Sequence, residues 1–266
     1  DFLVYDLDAV YIAVPNALHF DIAKFFLNEK IAVFCEKPMA SNYKEVKELI
    51  DLSNEKNTLL MEGIVPIYTE GFKAIKDNLV HIGEVRSAIF SMNQYSSRYD
   101  AYRDGVVLNA FKNSLSNGST MDIAIYPLSV AIALFGKPND ISASAFILDS
   151  EVDGKGTILL HYDTKDVIIT HSKINNQILK PEIQGEDGVI QINHISLVDQ
   201  VSLQLNKEEL KVVYEDFEVQ SMLFEFIDFA NAYKNNQIEV FEGAHQLSLD
   251  IHEILTKARN ICGIVF

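Results

Sequence analysis

Tryptophan is absent, and 266 residues hold only two cysteines, Cys35 and Cys262, six prolines and twelve glycines. Two thiols cannot build a disulfide framework, so both read as reduced thiols and the expected compartment is the cytoplasm. Positive charge is scarce: 22 Lys and Arg face 38 Asp and Glu, a formal net charge of −16. Such a surface repels phosphate backbones and anionic headgroups, so neither a nucleic acid nor a membrane is an expected partner. No apolar run reaches the length of a membrane span. Gly-x-Gly-x-x-Gly and Gly-x-Ser-x-Gly do not occur, and the seven histidines show no metal-ligand spacing. No metal site is therefore expected.

What is present is organised around Ile31-Ala32-Val33-Phe34-Cys35-Glu36-Lys37-Pro38. A short, uncharged, partly β-branched run reads as a fully buried strand of a parallel sheet. Pro38 cannot donate to a ladder and ends it. Lys37 thus sits at the carboxyl end of a strand, where open α/β sheets bind ligands. Two readings stand: an ion pair with Glu36 or another acid, or a functional amine. Cys35 reads as a buried, inert thiol.

The run Asp8–Val14 is a second strand, with Asn16 as the expected cap of a helix on Ile22, Phe25 and Phe26. Asn42 and Glu45 have capping-box spacing ahead of Val46, Leu49 and Ile50. Thr58–Glu62 is a third strand. This alternation predicts a doubly wound α/β unit over residues 1–64. From Val85 the pattern changes to short strands and tight turns, over 85–92, 142–147, 156–162, 167–172, 188–193 and 201–205. Consecutive short strands predict a large, mostly antiparallel sheet within an α+β unit over 65–266. One helix is expected over 121–135, closed by Gly136, and two more near 219–234 and 243–261. The polar, aromatic stretch 94–117 is too long for a plain connection and is expected to be a lid or binding loop.

Asp122 and Tyr126 are four apart, which places them on one face of the helix over 121–135. As an isolated pair they read as a dipole-favoured acid and a core aromatic. Pro127 inside the same pattern predicts a kink. His19 shares the ligand-facing strand edge with Lys37.

These residues fall in the order and spacing of a family. Val10-Tyr11-Ile12-Ala13-Val14-Pro15-Asn16-x-x-His19, Glu36-Lys37-Pro38, Gly83-Glu84-Val85-Arg86, Gly118-Ser119-Thr120-Met121-Asp122-Ile123-x-x-Tyr126-Pro127 and Ile183-x-Gly185-x-x-Gly188 together resemble the Gfo/Idh/MocA oxidoreductases. That family includes glucose–fructose oxidoreductase, inositol dehydrogenases and dimeric dihydrodiol dehydrogenase. The resemblance implies a Rossmann domain binding NAD or NADP, followed by a substrate-binding and oligomerising α+β domain. It implies that Lys37 is the catalytic lysine, Tyr126 a proton donor and Asp122 its companion acid. Pro15, Asn16, His19, Glu36 and Lys37 would line the nicotinamide end of the cofactor. Tyr95, Arg98, Tyr99 and Arg103 are candidates to hold substrate hydroxyls. Gly118-Ser119 departs from the family's Gly-Gly. The family's glycine-rich first turn is expected upstream of Asp1, so residues 1–266 alone are expected to bind cofactor weakly.

The implied reaction transfers hydride between nicotinamide and a carbinol or carbonyl of a sugar, cyclic polyol or dihydrodiol. A proton must move at the oxygen, and a lysine suits this best with its pKa lowered toward neutrality. Burial is expected to lower Lys37. Whether Lys37 or Tyr126 is the direct acid or base stays open. A homodimer or larger homo-oligomer through the open sheet is expected. The alternatives are a catalytically silent sugar-binding or regulatory homologue, and a fragment unable to bind cofactor.

Overall fold

Three parallel strands begin the computed structural model, which describes residues 6–218, 221–235 and 242–266. They are β1 (Ala9–Ile12), β2 (Ala32–Glu36) and β3 (Leu60–Gly63), in the order β1-β2-β3. Val33 registers with Val10 on one side and Leu60 on the other. The crossovers are α1 (His19–Asn28) and α2 (Tyr43–Lys56). Ala32, Val33, Phe34 and Cys35 are all buried, as a strand covered on both faces requires. Asn42 caps α2 by accepting from the Lys44 and Glu45 amides, and Glu45 reaches back to the Ser41 amide at 2.9 Å. Asn16 does not cap α1. It opens a 3₁₀ turn (Asn16–Leu18), and its side chain leaves the helix altogether.

Helix α3 (Glu70–Leu79), which the sequence reading did not anticipate, leads to the second sheet. Eight strands form it: β4 (Val85–Asn93), β5 (Asp140–Ile147), β6 (Asp153–His161), β7 (Asp166–Ser172), β8 (Glu182–Gly185), β9 (Gly188–Ile192), β10 (Gln200–Leu205) and β11 (Lys211–Glu215). The order is β11-β10-β9-β8-β4-β7-β6-β5. The sheet is mostly antiparallel, as expected, but its centre is not: β4 and β7 run parallel. β8 and β11 were not anticipated; β8 is only four residues long.

The expected loop over 94–117 is largely ordered into α4 (Tyr99–Arg103) and two 3₁₀ turns. The expected single helix over 121–135 is two, α5 (Ser119–Asp122) and α6 (Ile125–Phe135), the latter closed by Gly136. The bend falls before Pro127, not at it. Pro127 occupies the first turn of α6, where its missing N–H is one that a helix leaves unpaired anyway. Helix α6 is apolar all round, with Ile125, Leu128, Val130 and Ile132 in the main core. Burying each contributes roughly 1.5–3 kcal/mol.

Two helices close the chain, α7 (Ser221–Lys234) and α8 (Glu242–Cys262). Residues 219 and 220, the expected start of the first, lie outside the described residues. Both helices return to the first sheet. Phe229 and Ala232 pack on Ala32, Phe34 and Met61, and Leu249 packs against the cluster around Val33 and Val46.

Candidate active site

Strands β1 and β2 deliver their carboxyl ends to one edge. Just beyond β2, Lys37 leaves the sheet, and its turn is pinned from two sides. His19, 1% exposed, brings Nδ1 to the Pro38 carbonyl and Nε2 to the Val14 carbonyl, both at 2.8 Å. The Met39 amide donates to Glu62 Oε1 at 2.8 Å. Glu62 is buried in β3 and also accepts from Ser248 Oγ (2.6 Å) and meets His252 Nε2 (2.8 Å), both on α8. Burial opposes ionisation of Glu62, yet these partners hold it below the usual carboxylate range.

The second sheet supplies the other wall. Gly118 leads into α5, and its φ of 127° and close approach to Asp153 exclude a Cβ. Asp153, also buried, accepts from the Thr120 amide at 2.7 Å and its hydroxyl at 2.8 Å. Burial pushes its carboxyl up to about 6 in spite of these bonds. Ser119, the departure from the Gly-Gly pattern, faces buried His171 Nδ1 at 2.9 Å. Burial holds that imidazole down at about 3.

This helix start aims Asp122 at Lys37. The Lys37 ammonium donates to Asp122 Oδ1 and to its backbone carbonyl, both at 3.0 Å. The same ammonium lies 4.4 Å from the centroid of the Tyr126 ring. Lys37, Asp122 and Tyr126 are thus brought together, although Asp122 and Tyr126 lie on separate helices rather than on one face. Glu36 is not the lysine's partner; it accepts from the Tyr11 hydroxyl at 2.5 Å. Burial lowers the Lys37 amine, as expected, but Asp122 and Tyr126 outweigh it and hold the amine above the ordinary lysine range. Asp122 lies correspondingly far below the carboxylate range: burial acts against ionisation, and Lys37 and Lys173 override it.

Lys173 has no counterpart in the sequence reading. Its side chain is 3% exposed and donates to Asp122 Oδ2 at 2.7 Å and to the Ala110 carbonyl at 3.1 Å. A signal existed: Val167, Ile169 and His171 alternate into the core, and Lys173 continues that period of two.

An open cleft of about 510 Å³ lies against this group, lined by Val14, Pro15, Arg98, Asn109, Asn117 and Asp122 among others. Arg98 is the one loop candidate in that lining. Tyr95 and Arg103 both turn to Asp100 instead, the first by a 2.6 Å hydrogen bond. Tyr99 packs on Tyr95, Tyr102 and Phe111, because four aromatic rings bury more apolar surface together than apart. Asn16 spans the two halves, donating to the Ser116 carbonyl at 3.0 Å. It and His19 are therefore engaged with protein carbonyls, whereas Pro15 borders the cleft.

Comparison with known proteins gives this geometry a context. Residues 3–64 match the model of the oxidoreductase family with an NAD-binding Rossmann fold, and residues 80–191 match the GFO/IDH/MocA C-terminal domain. A scyllo-inositol 2-dehydrogenase (NADP(+)), IolU of Bacillus subtilis, is 42% identical over 97% of this chain and 79% of its own length. The chain belongs to the Gfo/Idh/MocA oxidoreductase family. An uncharacterized oxidoreductase of Escherichia coli, YgjR, is 36% identical over 98% of this chain and 79% of its own. In fold, this family member is similar to KijD10, a 3-ketoreductase of Actinomadura kijaniata solved with NADP and TDP-benzene. That likeness has a TM-score of 0.82 at 21% identity and covers 97% of this chain and 79% of the other. The member is thus an NAD(P)-dependent dehydrogenase of CH–OH groups.

Proposed function

We propose that this chain interconverts a secondary alcohol of a cyclic polyol, of the inositol type, and its ketone. The observation that carries the reading is the convergence of Lys37, Asp122 and Tyr126 beyond the end of β2, with Asp122 bordering the cleft. The likeness to the scyllo-inositol dehydrogenase favours a neutral, hydroxyl-rich ring over a dihydrodiol. The nicotinamide, when bound, supplies hydride exchange with the carbon. Lys37 handles the proton at the substrate oxygen. Paired with Asp122 it rests as an ammonium, an acid ready to protonate a ketone oxygen. In the oxidative direction it must first give up that proton, and the Tyr126 hydroxyl beside it relays it. Arg98, which lines the same cleft, is the side chain placed to hold a substrate hydroxyl.

The division into units at residue 64 is part of this reading, the first holding cofactor and the second substrate. So is pairing of two copies through the outer face of the eight-stranded sheet. That face leaves Phe146, Ile168 and Val212 exposed, and beside it Ile178 and Leu179 are 98% and 82% exposed. We place the protein in the cytoplasm, supported by two free cysteines, one of them buried. No single helix among the described residues is long and apolar enough to cross a membrane.

The test is Lys37→Met, with scyllo- and myo-inositol and either cofactor, following nicotinamide absorbance. The variant should keep the parent's circular dichroism and lose at least about 10³-fold in kcat, the scale of acid–base catalysis. Near-normal kcat would remove Lys37 from the chemistry.

A further inference from the structure

Two ammonium groups share one carboxylate at this site, and sequence reasoning assigns a role to only one of them. Lys37 holds Asp122 Oδ1 and Lys173 holds Oδ2, at 3.0 and 2.7 Å. Lys173 cannot touch substrate, since its side chain is 3% exposed. A structural stitch to the Ala110 carbonyl would need only a neutral donor, and burying an ammonium for it is costly.

We propose that Lys173 is a positioning residue that keeps the Lys37 proton mobile: it fixes the plane of the Asp122 carboxylate and, by sharing that single counter-charge, lightens the hold of Asp122 on Lys37. The proposal rests on the proton-handling role given to Lys37 above. The groups facing the two amines are few. Lys37 meets Asp122 and the Tyr126 ring. Lys173 meets Asp122, the Ala110 carbonyl and the Phe111 ring, with the Asp153 carboxyl within electrostatic reach. Arg98 lines the cleft that Asp122 borders. Glu36 is occupied by Tyr11. One carboxylate therefore answers for both ammoniums. Without Lys173, the whole of its charge would fall to Lys37, and the proton would become harder to release. Two unit charges on the two oxygens of one carboxylate, in a partly buried site, change each other's protonation equilibrium by roughly ten- to a hundredfold. Both amines hold the same carboxylate, so the effect belongs to the triad and not to either lysine alone.

The test measures proton availability on Lys37 directly, without turnover. The full chain is treated with a trace of acetic anhydride at one fixed, mildly alkaline pH. Acetylation of Lys37 is then read against exposed Lys44 by peptide mass spectrometry. Lys173→Gln keeps a donor for Asp122 and removes the charge, Lys173→Met removes both, and Lys173→Arg keeps the charge. Lys37 should react roughly ten- to a hundredfold more slowly, relative to Lys44, in the Gln and Met variants, and near the parent rate in the Arg variant. An unchanged or faster Lys37 rate in folded Lys173→Gln overturns the proposal. So does loss of fold in both uncharged variants while Lys173→Arg folds, because Lys173 would then be a structural stitch. Since this readout needs no substrate, its failure is distinct from failure of the Lys37→Met assay.

Discussion

Replacing Glu62 by Gln should destabilise the protein although no substrate group is touched. The Glu62 carboxylate takes three donors at a site 4% exposed: the Met39 amide, Ser248 Oγ and His252 Nε2. Gln fills the same space, keeps one oxygen for Met39 and His252, and turns its amide nitrogen to the Ser248 hydroxyl, which must then accept. What is lost is the charge in three charge-assisted bonds, each of which gains of order 1 kcal/mol over its neutral counterpart. A net loss of about 2 kcal/mol follows, and a chain of this size then melts roughly 4–8 °C lower. Glu62→Ala leaves three buried donors unpaired and costs about 4 kcal/mol or more. The loss should depend on pH with a definite sign. Glu62 is held below its unfolded value, so its contribution is complete above about pH 4.3 and disappears as pH falls through the folded value. The gap between parent and Glu62→Gln should therefore close on acidification. Denaturant melts at neutral pH and near pH 3 decide the matter: a Gln variant within about 0.5 kcal/mol of parent at neutral pH refutes the reasoning.

Three further outcomes are expected. His171 stays neutral when folded, held at about 3 by burial, so below the ordinary histidine value of about 6.5 the unfolded chain takes up the proton and stability falls as pH drops. His171→Gln should gain on the parent by up to about 1.4 kcal/mol per pH unit between pH 6 and 4, read from urea midpoints; a constant difference contradicts the burial argument. Gly71→Ala should cost about 1–3 kcal/mol or more, because the new Cβ would stand 1.8 Å from the Val198 carbonyl oxygen, and a wild-type melting point would show that α3 shifts freely. The proposed pairing of two copies predicts that Ile178→Asp together with Leu179→Asp lowers the mass read by light scattering, and an unchanged mass would take that segment out of the proposed interface.

The first sheet was legible because strands buried on both faces read as unbroken apolar runs, and Val33 to Cys35 is such a run. The cation–acid pair was legible only through an ordered set of weak motifs: Lys37 and Asp122 stand 85 residues apart, and nothing local joins them. Several errors share one cause, tertiary context overriding local pattern. Asn16 has the chemistry of a helix cap but spends its amide on the Ser116 carbonyl across the cleft. Tyr95, Tyr99 and Arg103 read as candidates to hold substrate hydroxyls, yet they engage each other and Asp100. The parallel pairing of β4 with β7 was hidden because neighbours in sequence were taken as neighbours in the sheet. Lys37 was expected to be an easily discharged amine; the carboxylate that reverses this arrives from another element.

Helix α8 has a mechanical consequence. Its Ser248 and His252 side chains grip Glu62 in the first sheet, while Lys257 reaches Asp140 on the second at 2.6 Å and Glu253 reaches Lys137, just ahead of β5, at 2.6 Å. Ile251, Ile254 and Leu255 are sealed in the second core. One rigid rod is thus bolted to both walls of the cleft, so the walls cannot swing apart as a hinge without unpicking it. At the rim of the cleft, by contrast, the Val106 to Leu108 segment is exposed. A chain shortened at its C-terminus through α8 would lose the spacing between its two walls, far from where its catalytic groups lie in sequence.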